Sequence, residues 1–491
     1  MERNNYMNLR YLLKTLSITV NNRVHQNLNV KGIAFDSSKV ESGFLFIAIT
    51  GNHTDGHRFI NDAKKNGAIA IIGEQVLESL DVPYFQVPNS RKALALLAKT
   101  FYSNSTNNKI IIGITGTNGK TTTSYMLKHI LESQGLPCSL FGSISTIING
   151  NEIPSSHTTL DALTYHRLLS ESCDQVVIME VSSHGLIQHR VEGIEFDYCI
   201  FTNLEHEHLD YHRDMESYFK AKQSLFTHMK SNGIAIVHSS SEWGERLSTY
   251  VNLLEKKLIK INGNNPTYTI NGKELFGNTM YSNKGNLLTT SMKGKHNIEN
   301  AALAFSTAVS LGFSPPIIVD ALKEFKGIPG RYQIHPHPSG ATFLIDYAHT
   351  EKAFYHILDT VKSQEPRKII HIFGFRGNRD VKKRIKMFNM SLKYCDNCIL
   401  TFDDLNGVTS DQMIKDLESF GHHEKCVIIP DRTDAIKYAW ELAKNRDWIV
   451  ITGKGNELYQ QIYSIPTLSD SQTLQYLFDQ VQNVDPFYSK S

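Results

Sequence analysis

The feature that most constrains the fold is a glycine-rich loop, GITGTNGKTTT at 113–123, which follows directly on the apolar run at 110–112. A buried strand that runs into such a turn, then a lysine, then hydroxyl residues that open a helix, is the arrangement that holds a polyphosphate. Lys120 would supply positive charge to the phosphates, and Thr121 or Thr122 would reach a Mg²⁺. The sequence therefore predicts a nucleotide site on an α/β sheet.

The loop departs from the usual phosphate-binding spacing. Five residues separate Gly113 from Gly119, where the usual loop has four, and Gly116 adds a third glycine to the turn. Apolar residues at helical spacing follow the loop as far as Gly135, which can end a helix. The segment thus predicts a strand, a phosphate turn and a helix, and leaves open which nucleotide enzyme carries them.

The composition disfavours several other classes of protein. A chain of 491 residues is too long for one ordinary core, and 51 basic against 49 acidic residues give it no general affinity for nucleic acid or a membrane surface. We find no apolar run of about 18 residues and no signal-peptide pattern. Six cysteines in no dense framework suit a reducing compartment. Cys395 and Cys398, without a second pair at zinc-site spacing, are interpreted as thiols at a strand edge. We expect a cytoplasmic protein.

Two breaks divide the chain into three α/β regions. The polar run at 103–108 and the turn at 327–330 interrupt alternating strand and helix patterns. We expect a small N-terminal α/β domain at 1–107, a central parallel sheet with the phosphate loop at 108–332, and a Rossmann-like doubly wound sheet at 333–491. The predicted strands are 44–49, 68–72, 84–87, 176–181, 198–201, 234–237, 343–345, 369–373, 399–402, 427–429 and 448–452, with a helix at 434–445.

Acidic and histidine residues follow two of the central strands. Glu180 ends an apolar strand, where a carboxylate in a phosphate-loop protein contacts Mg²⁺ directly or through water; a solvated strand-end glutamate is the alternative. The segment NLEHEHLD at 203–210 is not the H-E-x-x-H of a zinc protease. His208 is the better candidate for Mg²⁺ or phosphate, and an ordinary loop histidine is the alternative for it and for His206. Lys222 has the spacing of an ordinary surface lysine.

A second group of charged residues lies beyond the central region. Asp346 and Glu457 each follow an apolar strand, in the segments DYAHT and GKGNE, where a side chain faces a ligand crevice. Arg331, at the second break, could reach a phosphate across a domain interface. Each of these segments alone is equally consistent with a plain loop.

Taken together, these segments resemble the Mur ligase superfamily, and within it the branch that adds the third residue to UDP-N-acetylmuramoyl-L-Ala-D-Glu. EVSSHGLIQHRV and HLDYHxDMESY are typical of this branch, and they argue against folylpolyglutamate synthetase, which shares a TGTNGKTT-type loop but not these segments. The matching stretches, in order along the chain, are AFDSSKVESGFLFIAITGNHTDGH (34–57), GITGTNGKTTT (113–123), HTTLD (157–161), EVSSHGLIQHRVEGIEFD (180–197), FTNLEHEHLDYHRDMESYFKAKQSLF (201–226), GKHNIENA (294–301), GRYQ (330–333), DYAHT (346–350), GFRGNRDVKKR (374–384) and GKGNE (453–457).

The resemblance implies roles for individual residues. Lys120 and Thr121 would serve the ATP phosphates and Mg²⁺, and Glu180 and His208 would hold Mg²⁺. Lys222 matches a lysine that CO₂ carbamylates, which turns a cation into an anionic oxygen ligand for Mg²⁺. The residues implied for the nucleotide are Gly116, Thr117, Asn118, Gly119, Lys120, Thr121, Thr122, Asn297, Arg331 and Asp346. Those implied for the UDP-muramoyl-peptide are Ser37, Thr158, Thr159, Ser182, Gln188 and Arg190. Those implied for the incoming amino acid are Arg379, Asp403, Asp404, Asn406, Gly453 and Glu457.

The implied reaction is amide formation driven by ATP, in peptidoglycan precursor synthesis, by a monomer whose partners are small-molecule substrates. The terminal carboxylate of the UDP-muramoyl-peptide attacks the γ-phosphate to give an acyl phosphate, which the amine of an amino acid then attacks. Mg²⁺ and Lys120 would offset the repulsion between two anions, and closure of three domains would exclude water from the intermediate.

Several positions depart from the family pattern. Ser38 stands where Asp-Ser-Arg has its arginine, Leu160 replaces a proline, and Asn456 replaces a histidine. Enzymes that add meso-diaminopimelate carry Asp-Asn-Pro-Arg, whose arginine pairs with the distal carboxylate, whereas this chain has Asp-Asp-Leu-Asn at 403–406. A buried distal carboxylate without that partner loses on the order of several kcal/mol, and the added Asp404 would favour a cationic or neutral side chain.

We therefore expect lysine or ornithine, rather than meso-diaminopimelate, as the amino acid. Ser38 motivates an alternative, a divergent paralogue that joins an amino acid to a different carboxylate outside mainstream wall synthesis. A nucleotide-binding regulatory relic is a third hypothesis, which the intact set of Lys120, Glu180, His208 and Lys222 disfavours.

Overall fold

The structure is a computed structural model that describes residues 6–19, 27–51, 54–77, 80–102, 106, 108–155, 157–261, 269–270, 273–274, 290–379, 381–420 and 423–484. It contains three larger sheets with helices packed against them, in the order in which the sequence predicts three α/β regions. The predicted linker at 103–108 lies for the most part outside the described residues, and the domain boundaries at 107 and 332 stay predictions. Among the described helices, none is both long and apolar enough to cross a membrane.

The N-terminal sheet is small and entirely parallel. Its strands lie in the order Gly32–Ala34, Phe44–Ile47, Ala68–Gly73 and Tyr84–Gln86. The helix Ser90–Phe101 begins after Asn89, whose side chain accepts from the N–H of Lys92, and its buried leucines and alanines pack on one face of the sheet. The other elements are the strands Met7–Asn8 and Asn29–Val30, the α-helices Leu9–Lys14 and Ile60–Lys65, and the 3-10 helices Ser37–Lys39 and Gly56–Phe59.

The central sheet places the phosphate loop among six parallel strands. The strand Ile110–Thr115 lies between Val176–Glu180 and Phe196–Phe201, in parallel register with both. Because the carboxyl ends of parallel strands meet at one edge of a sheet, the phosphate loop, Glu180 and Thr202 are delivered to the same place. The strand order is Asn151–Pro154, Ser145–Ile148, Cys138–Phe141, Val176–Glu180, Ile110–Thr115, Phe196–Phe201, Met229–His238, Lys257–Ile261, Thr269–Ile270 and Lys273–Glu274. The helices of this region are Lys120–Ser133, Ala162–Glu171, Ser183–Ile187, Met215–Gln223, Glu242–Leu253, Lys295–Ser310 and Pro315–Glu324, with a 3-10 helix at Ser224–His228.

The C-terminal sheet is doubly wound, as predicted, with one antiparallel strand at its edge. Its order is Gln333–Pro336, Thr342–Asp346, Trp448–Thr452, Ile369–Phe373, Asn397–Leu400 and Cys426–Ile428, of which only the first is antiparallel to its neighbour. Asp346 ends one of these strands, and Gly374, Asp403 and Gly453 follow three others, so these four residues share one edge. The helices are Glu351–Lys362, Lys382–Tyr394, Ser410–Glu418, Arg432–Leu442 and Asp470–Val484.

The predicted strands are present: 369–373 and 448–452 have the predicted bounds, and the others differ at their ends. The strand predicted at 234–237 extends over Met229–His238 because Met229 pairs with Phe196, before a register shift after which Tyr198 pairs with Ile234. The strand predicted at 399–402 is Asn397–Leu400, and the chain leaves the sheet before Asp403.

Candidate active site

The phosphate loop has two positions that require glycine. The φ angles of Gly116 and Gly119 are +147° and +85°. A Cβ atom at Gly116 would lie 1.8 Å from Oγ1 of Thr202, and one at Gly119 would lie 2.3 Å from Oδ1 of Asn300. The helix Lys120–Ser133 begins directly after the loop, so the N–H groups of its first turn are available to an anion.

The neighbouring strand end fixes the shape of this loop. The backbone oxygen of Asn203 accepts from the N–H of Thr117 and its side-chain oxygen accepts from the N–H of Asn118, both at 2.9 Å. The Nδ2 of Asn118 donates to Glu205 at 2.8 Å, and the hydroxyls of Thr117 and Tyr218 lie 3.1 Å apart. Thr117 and Asn118 thus brace the loop as well as line its cavity.

Glu180 is a fully buried carboxylate beside the loop. It accepts from Oγ1 of Thr121 at 2.9 Å, from Oγ of Ser143 at 3.0 Å, and from Oγ of Ser124 at 3.4 Å. Among the described residues it forms no ion pair, although a buried carboxylate is costly without a cation. Carboxylate and hydroxyl oxygens are ligands that Mg²⁺ prefers, so the surroundings of Glu180 and Thr121 fit a Mg²⁺ ion.

Two lysines converge on one carbonyl group of the loop. The backbone oxygen of Gly116 accepts from Nζ of Lys120 at 2.9 Å and from Nζ of Lys222 at 2.7 Å. Lys222 is buried against the ring of Tyr218, and burial, followed by the charge of Lys120, lowers its pKa well below the usual value. A neutral amine is the form of lysine that reacts with CO₂, so the geometry suits carbamylation of Lys222.

His208 lies at the entrance to the same region. Burial lowers its pKa to about 3, so its imidazole is neutral at physiological pH and can act as a metal ligand. Its ring stands 5.0 Å from that of His184 and 6.0 Å from that of Tyr218, measured between centroids. Within the described part of the chain, no three His, Cys, Asp or Glu side chains group closely enough to hold a metal. A metal beside Glu180 therefore needs other ligands, such as a hydroxyl or a carbamate.

Nine of the ten residues predicted for the nucleotide, all except Gly116, line one cavity of about 400 Å³ between the central and C-terminal sheets. Asn297, Arg331 and Asp346 all face it, together with the phosphate loop. The guanidinium of Arg331 lies 3.9 Å from the ring centroid of Tyr347. Burial raises the pKa of Asp346, whose carboxylate accepts from two backbone N–H groups at 2.8 Å and so shapes the turn.

Ion pairs join the central and C-terminal regions across this cavity. Glu207 is buried and lies 2.9 Å from Nε2 of His349, and Glu205 lies 2.9 Å from Nζ of Lys352. Burial acts to raise the pKa of Glu207, but its contact with His349 and a smaller contribution from Lys383 hold that pKa well below its usual value. The acidic residues of the segment EHEHLD, which looks metal-binding in the sequence, therefore bridge two domains, a role that spacing did not reveal.

The central residues predicted for the UDP-muramoyl-peptide form one hydrogen-bonded group. Oγ1 of Thr159 donates to the backbone oxygen of Glu180 at 3.1 Å and accepts from the N–H of Ser182 at 2.9 Å. Arg190 donates to the backbone oxygen of Thr159 at 2.5 Å and to the side chain of Gln188 at 2.8 Å. Of the two other residues in the predicted set, Thr158 belongs to this group and Ser37 lies in the N-terminal region.

Ser37 belongs to a 3-10 turn of the N-terminal sheet and has no described contact with the central group. Its backbone oxygen accepts from Nδ2 of Asn66 at 2.9 Å. Asp36 accepts from the N–H and the hydroxyl of Ser38 at 3.0 and 2.7 Å. Ser38 stands at the position of the arginine in the Asp-Ser-Arg pattern. Thr158, by contrast, is linked to the central group through Ser143. The hydroxyl oxygens of Thr158 and Ser143 lie 3.0 Å apart, and Ser143 donates to the carboxylate of Glu180.

The residues predicted for the incoming amino acid separate into two sets. Arg379 and Asp403 line a second cavity of about 180 Å³, which shares Glu207 and His208 with the first. Asp404 is buried and bound to Nζ of Lys454 at 2.5 Å, so it presents no free charge to this cavity. This differs from the expectation that its charge selects the amino acid.

The other three residues of that set are not among those that line this cavity. A Cβ atom at Gly453 would lie 2.8 Å from Oδ2 of Asp403, so this glycine allows the two segments to approach closely. Asn406 has a φ of +47° and donates from Nδ2 to the backbone oxygen of Gly377 at 3.3 Å. Glu457 is hydrogen bonded to Arg376.

The fold and the site together define a phosphate-loop enzyme whose nucleotide cavity lies between two α/β domains. Comparison with known families matches residues 29–102 to "Mur ligase family, catalytic domain", residues 114–308 to "Mur ligase middle domain", and residues 330–455 to "Mur ligase, glutamate ligase domain".

Whole-length relatives agree with this assignment. The chain is 36% identical over 486 residues to a protein of Aquifex aeolicus named UDP-N-acetylmuramoyl-L-alanyl-D-glutamate--2,6-diaminopimelate ligase, with 96% of this chain and 95% of the relative covered. It is 34% identical over 477 residues to a protein of the same name from Clostridium botulinum, with 92% and 95% covered. A solved structure of that title aligns with a TM-score of 0.66 and 27% identity, over 97% of this chain and all of that one.

The chain belongs to the Mur ligase family. It is an ATP-dependent ligase that forms an amide bond, and its three-domain α/β fold is confirmed.

Proposed function

We propose that this ligase joins an amino acid to the D-Glu carboxylate of UDP-N-acetylmuramoyl-L-Ala-D-Glu in peptidoglycan precursor synthesis. The names of its whole-length relatives support this acceptor. The observation that carries the proposal is the hydrogen-bonded group of Thr159, Ser182, Gln188 and Arg190. It is bonded to the backbone of Glu180, whose carboxylate accepts from Thr121 directly after the phosphate loop, so a carboxylate bound by this group would lie near the γ-phosphate.

The reaction has two bond exchanges. A carboxylate oxygen of the acceptor attacks the γ-phosphorus, and the bond from that phosphorus to the ADP oxygen breaks. The amine nitrogen of the amino acid then attacks the carbonyl carbon of the acyl phosphate, inorganic phosphate leaves, and the amine loses a proton. Lys120 would hold the γ-phosphate during the first exchange, and the first turn of Lys120–Ser133 would bind the remaining phosphate charge.

We propose that Thr121, Glu180, His208 and carbamylated Lys222 hold Mg²⁺ in this ligase. Mg²⁺ would neutralise phosphate charge and orient the γ-phosphate toward the acceptor. The support is the buried, unpaired carboxylate of Glu180 and the neutral state favoured for Lys222 and His208. Carbamylation also removes the repulsion between Lys222 and Lys120, which approach the same carbonyl oxygen.

We propose lysine or ornithine, rather than meso-diaminopimelate, as the amino acid. Asn406 offers no positive charge to a distal carboxylate, and its side-chain amide is already bonded to a backbone oxygen. The described lining of the pocket includes three acidic and four basic side chains, so its net charge alone does not select a cationic amino acid, and the absent arginine at Asn406 carries the choice. The acidic side chains are Glu207, Asp210 and Asp403, and the basic ones are Arg376, Arg379, Lys383 and Arg384.

A competing choice of amino acid follows from the relatives, which are named for 2,6-diaminopimelate. The test is a ligation screen with UDP-muramoyl-dipeptide, ATP and separate amino acids, with the products identified by mass spectrometry. We expect the lysine or ornithine product to form with the highest kcat/KM. Faster turnover with meso-diaminopimelate would overturn the choice of amino acid but leave the acceptor intact.

A different acceptor is the second candidate, motivated by Ser38. The turn at Asp36 is closed by hydrogen bonds from Ser38 and presents no arginine to a uridine nucleotide. Failure to form any product with UDP-muramoyl-dipeptide, in a preparation that hydrolyses ATP with another carboxylate and an amine, would favour this candidate.

A further inference from the structure

Arg376 lies between two acidic residues of the amino-acid pocket. Its Nη2 donates to Oε2 of Glu457, and its Nε stands 3.6 Å from Oδ1 of Asp403. The residue follows the strand Ile369–Phe373, at the carboxyl edge of the C-terminal sheet, and lines the cavity of about 180 Å³. A protein cation therefore already occupies the carboxylates that a cationic substrate side chain would use.

Two cations that neighbour Asp403 are held differently. Lys454 is fully buried and lies 2.5 Å from Asp404 and 3.7 Å from Asp403. The side chain of Arg376 is 22% exposed, and its Nε has no hydrogen-bond partner in the described structure. An unsatisfied buried N–H weakens the hold on a side chain, so Arg376 is the cation that can yield to a ligand.

We propose that Arg376 occupies the subsite for a cationic side chain and thereby determines how strongly the pocket discriminates amino acids by side-chain charge. This inference rests on the proposed function only in placing the incoming side chain in this pocket. A cationic side chain must compete with the guanidinium for Asp403 and Glu457, whereas a neutral side chain does not. Removal of Arg376 would release Glu457 from its ion pair and leave Asp403 with its longer contact of 3.7 Å to Lys454.

The competition predicts a change in relative specificity. We would compare kcat/KM for lysine with kcat/KM for norleucine, which keeps the carbon chain of lysine without its ammonium group. In Arg376→Met, the lysine to norleucine ratio should rise by about tenfold over the wild-type ratio, because Glu457 and the buried Asp403 lose a competing cation. The KM for ATP should stay unchanged, since Arg376 does not line the nucleotide cavity.

A matched control breaks a similar pair at the opposite edge of the same sheet. Arg367 lies 2.5 Å from the buried Asp447, at the amino ends of the strands Ile369–Phe373 and Trp448–Thr452. Arg367→Met should leave the specificity ratio unchanged. Arg376→Lys keeps the charge and should stay within about twofold of the wild-type ratio, which provides a folded variant if the methionine variant is unstable.

The outcomes separate this inference from the proposed function. The amino acid that the wild type prefers tests the proposed function, and the change of the ratio on substitution tests Arg376. An unchanged ratio in Arg376→Met would show that the residue only clamps the pocket, and a fall in the ratio would show that it binds the substrate. A ratio that rises in Arg376→Lys as much as in Arg376→Met would show that charge is not the determinant. Each of these three results would overturn the inference.

Discussion

Replacing Glu180 by glutamine should separate stability from activity. Glu180 is buried with hydroxyl donors and no ion pair among the described residues, so in the metal-free protein its charge is a cost. Glutamine keeps the shape, and the hydroxyls of Thr121 and Ser143 can rotate to pair with its amide. We expect the free energy of unfolding without Mg²⁺ and ATP to be unchanged or to rise by about 1 kcal/mol.

The same change should strongly lower the rate. Loss of a group that holds transition-state charge costs at least about 100-fold in kcat, which is about 2.7 kcal/mol at 1.36 kcal/mol for each factor of ten. Urea unfolding in a chelator and the rate of ADP release would measure the two effects. A matched control is Asp174→Asn, because Asp174 is a buried carboxylate with hydroxyl and N–H donors at the amino end of the same strand, and it should keep its activity. Destabilisation of Glu180→Gln by 2 kcal/mol or more (roughly the cost of an unmade buried hydrogen bond), with most activity retained, would refute the reasoning.

Three further predictions test other parts of the site. Removing dissolved CO₂ should lower activity, and bicarbonate should restore both the activity and a mass increase of one CO₂ on Lys222. Because the amine must be neutral to react with CO₂, activity should also fall as the pH drops through the lowered pKa of Lys222. Gly116→Ala should weaken ATP binding at least tenfold (about 1.4 kcal/mol) in calorimetry, because its Cβ would lie 1.8 Å from a hydroxyl oxygen, whereas Gly135→Ala, also at positive φ but with no atom within 4 Å, should not. Asp404→Asn should lower the free energy of unfolding by about 3 kcal/mol in urea titration, because the buried Lys454 loses its nearer carboxylate partner. A change of amino-acid preference without loss of stability would contradict this.

Local sequence determined much of the phosphate site. An apolar run followed by glycines and a lysine can only place that lysine at a strand end, so Gly116, Gly119 and Lys120 were predictable without a partner segment. Glu180 was predictable for the same reason, because parallel strands end at one edge. The family resemblance added the C-terminal residues Arg331 and Asp346, which line the same cavity.

The charge partners could not be predicted in this way. Lys222 reaches Gly116 across 106 residues, and nothing in the spacing of its helix distinguishes it from a surface lysine. Asp404 appeared to be a free selector because its partner Lys454 lies 50 residues away. Arg376 was missed for the same reason, since it is recognised as a pocket residue only through its hydrogen bond to Glu457, 81 residues away. Pairing between strand-end loops depends on sheet order, which local pattern does not encode.

The central claim is that the acceptor carboxylate attacks the γ-phosphate. The most direct test uses UDP-muramoyl-dipeptide with ¹⁸O in the D-Glu carboxylate, ATP and the preferred amino acid, followed by mass spectrometry of the released phosphate. An acyl phosphate transfers one carboxylate oxygen to phosphate, so we predict one ¹⁸O atom in the phosphate for each amide bond formed. Unlabelled phosphate alongside labelled product would contradict the account.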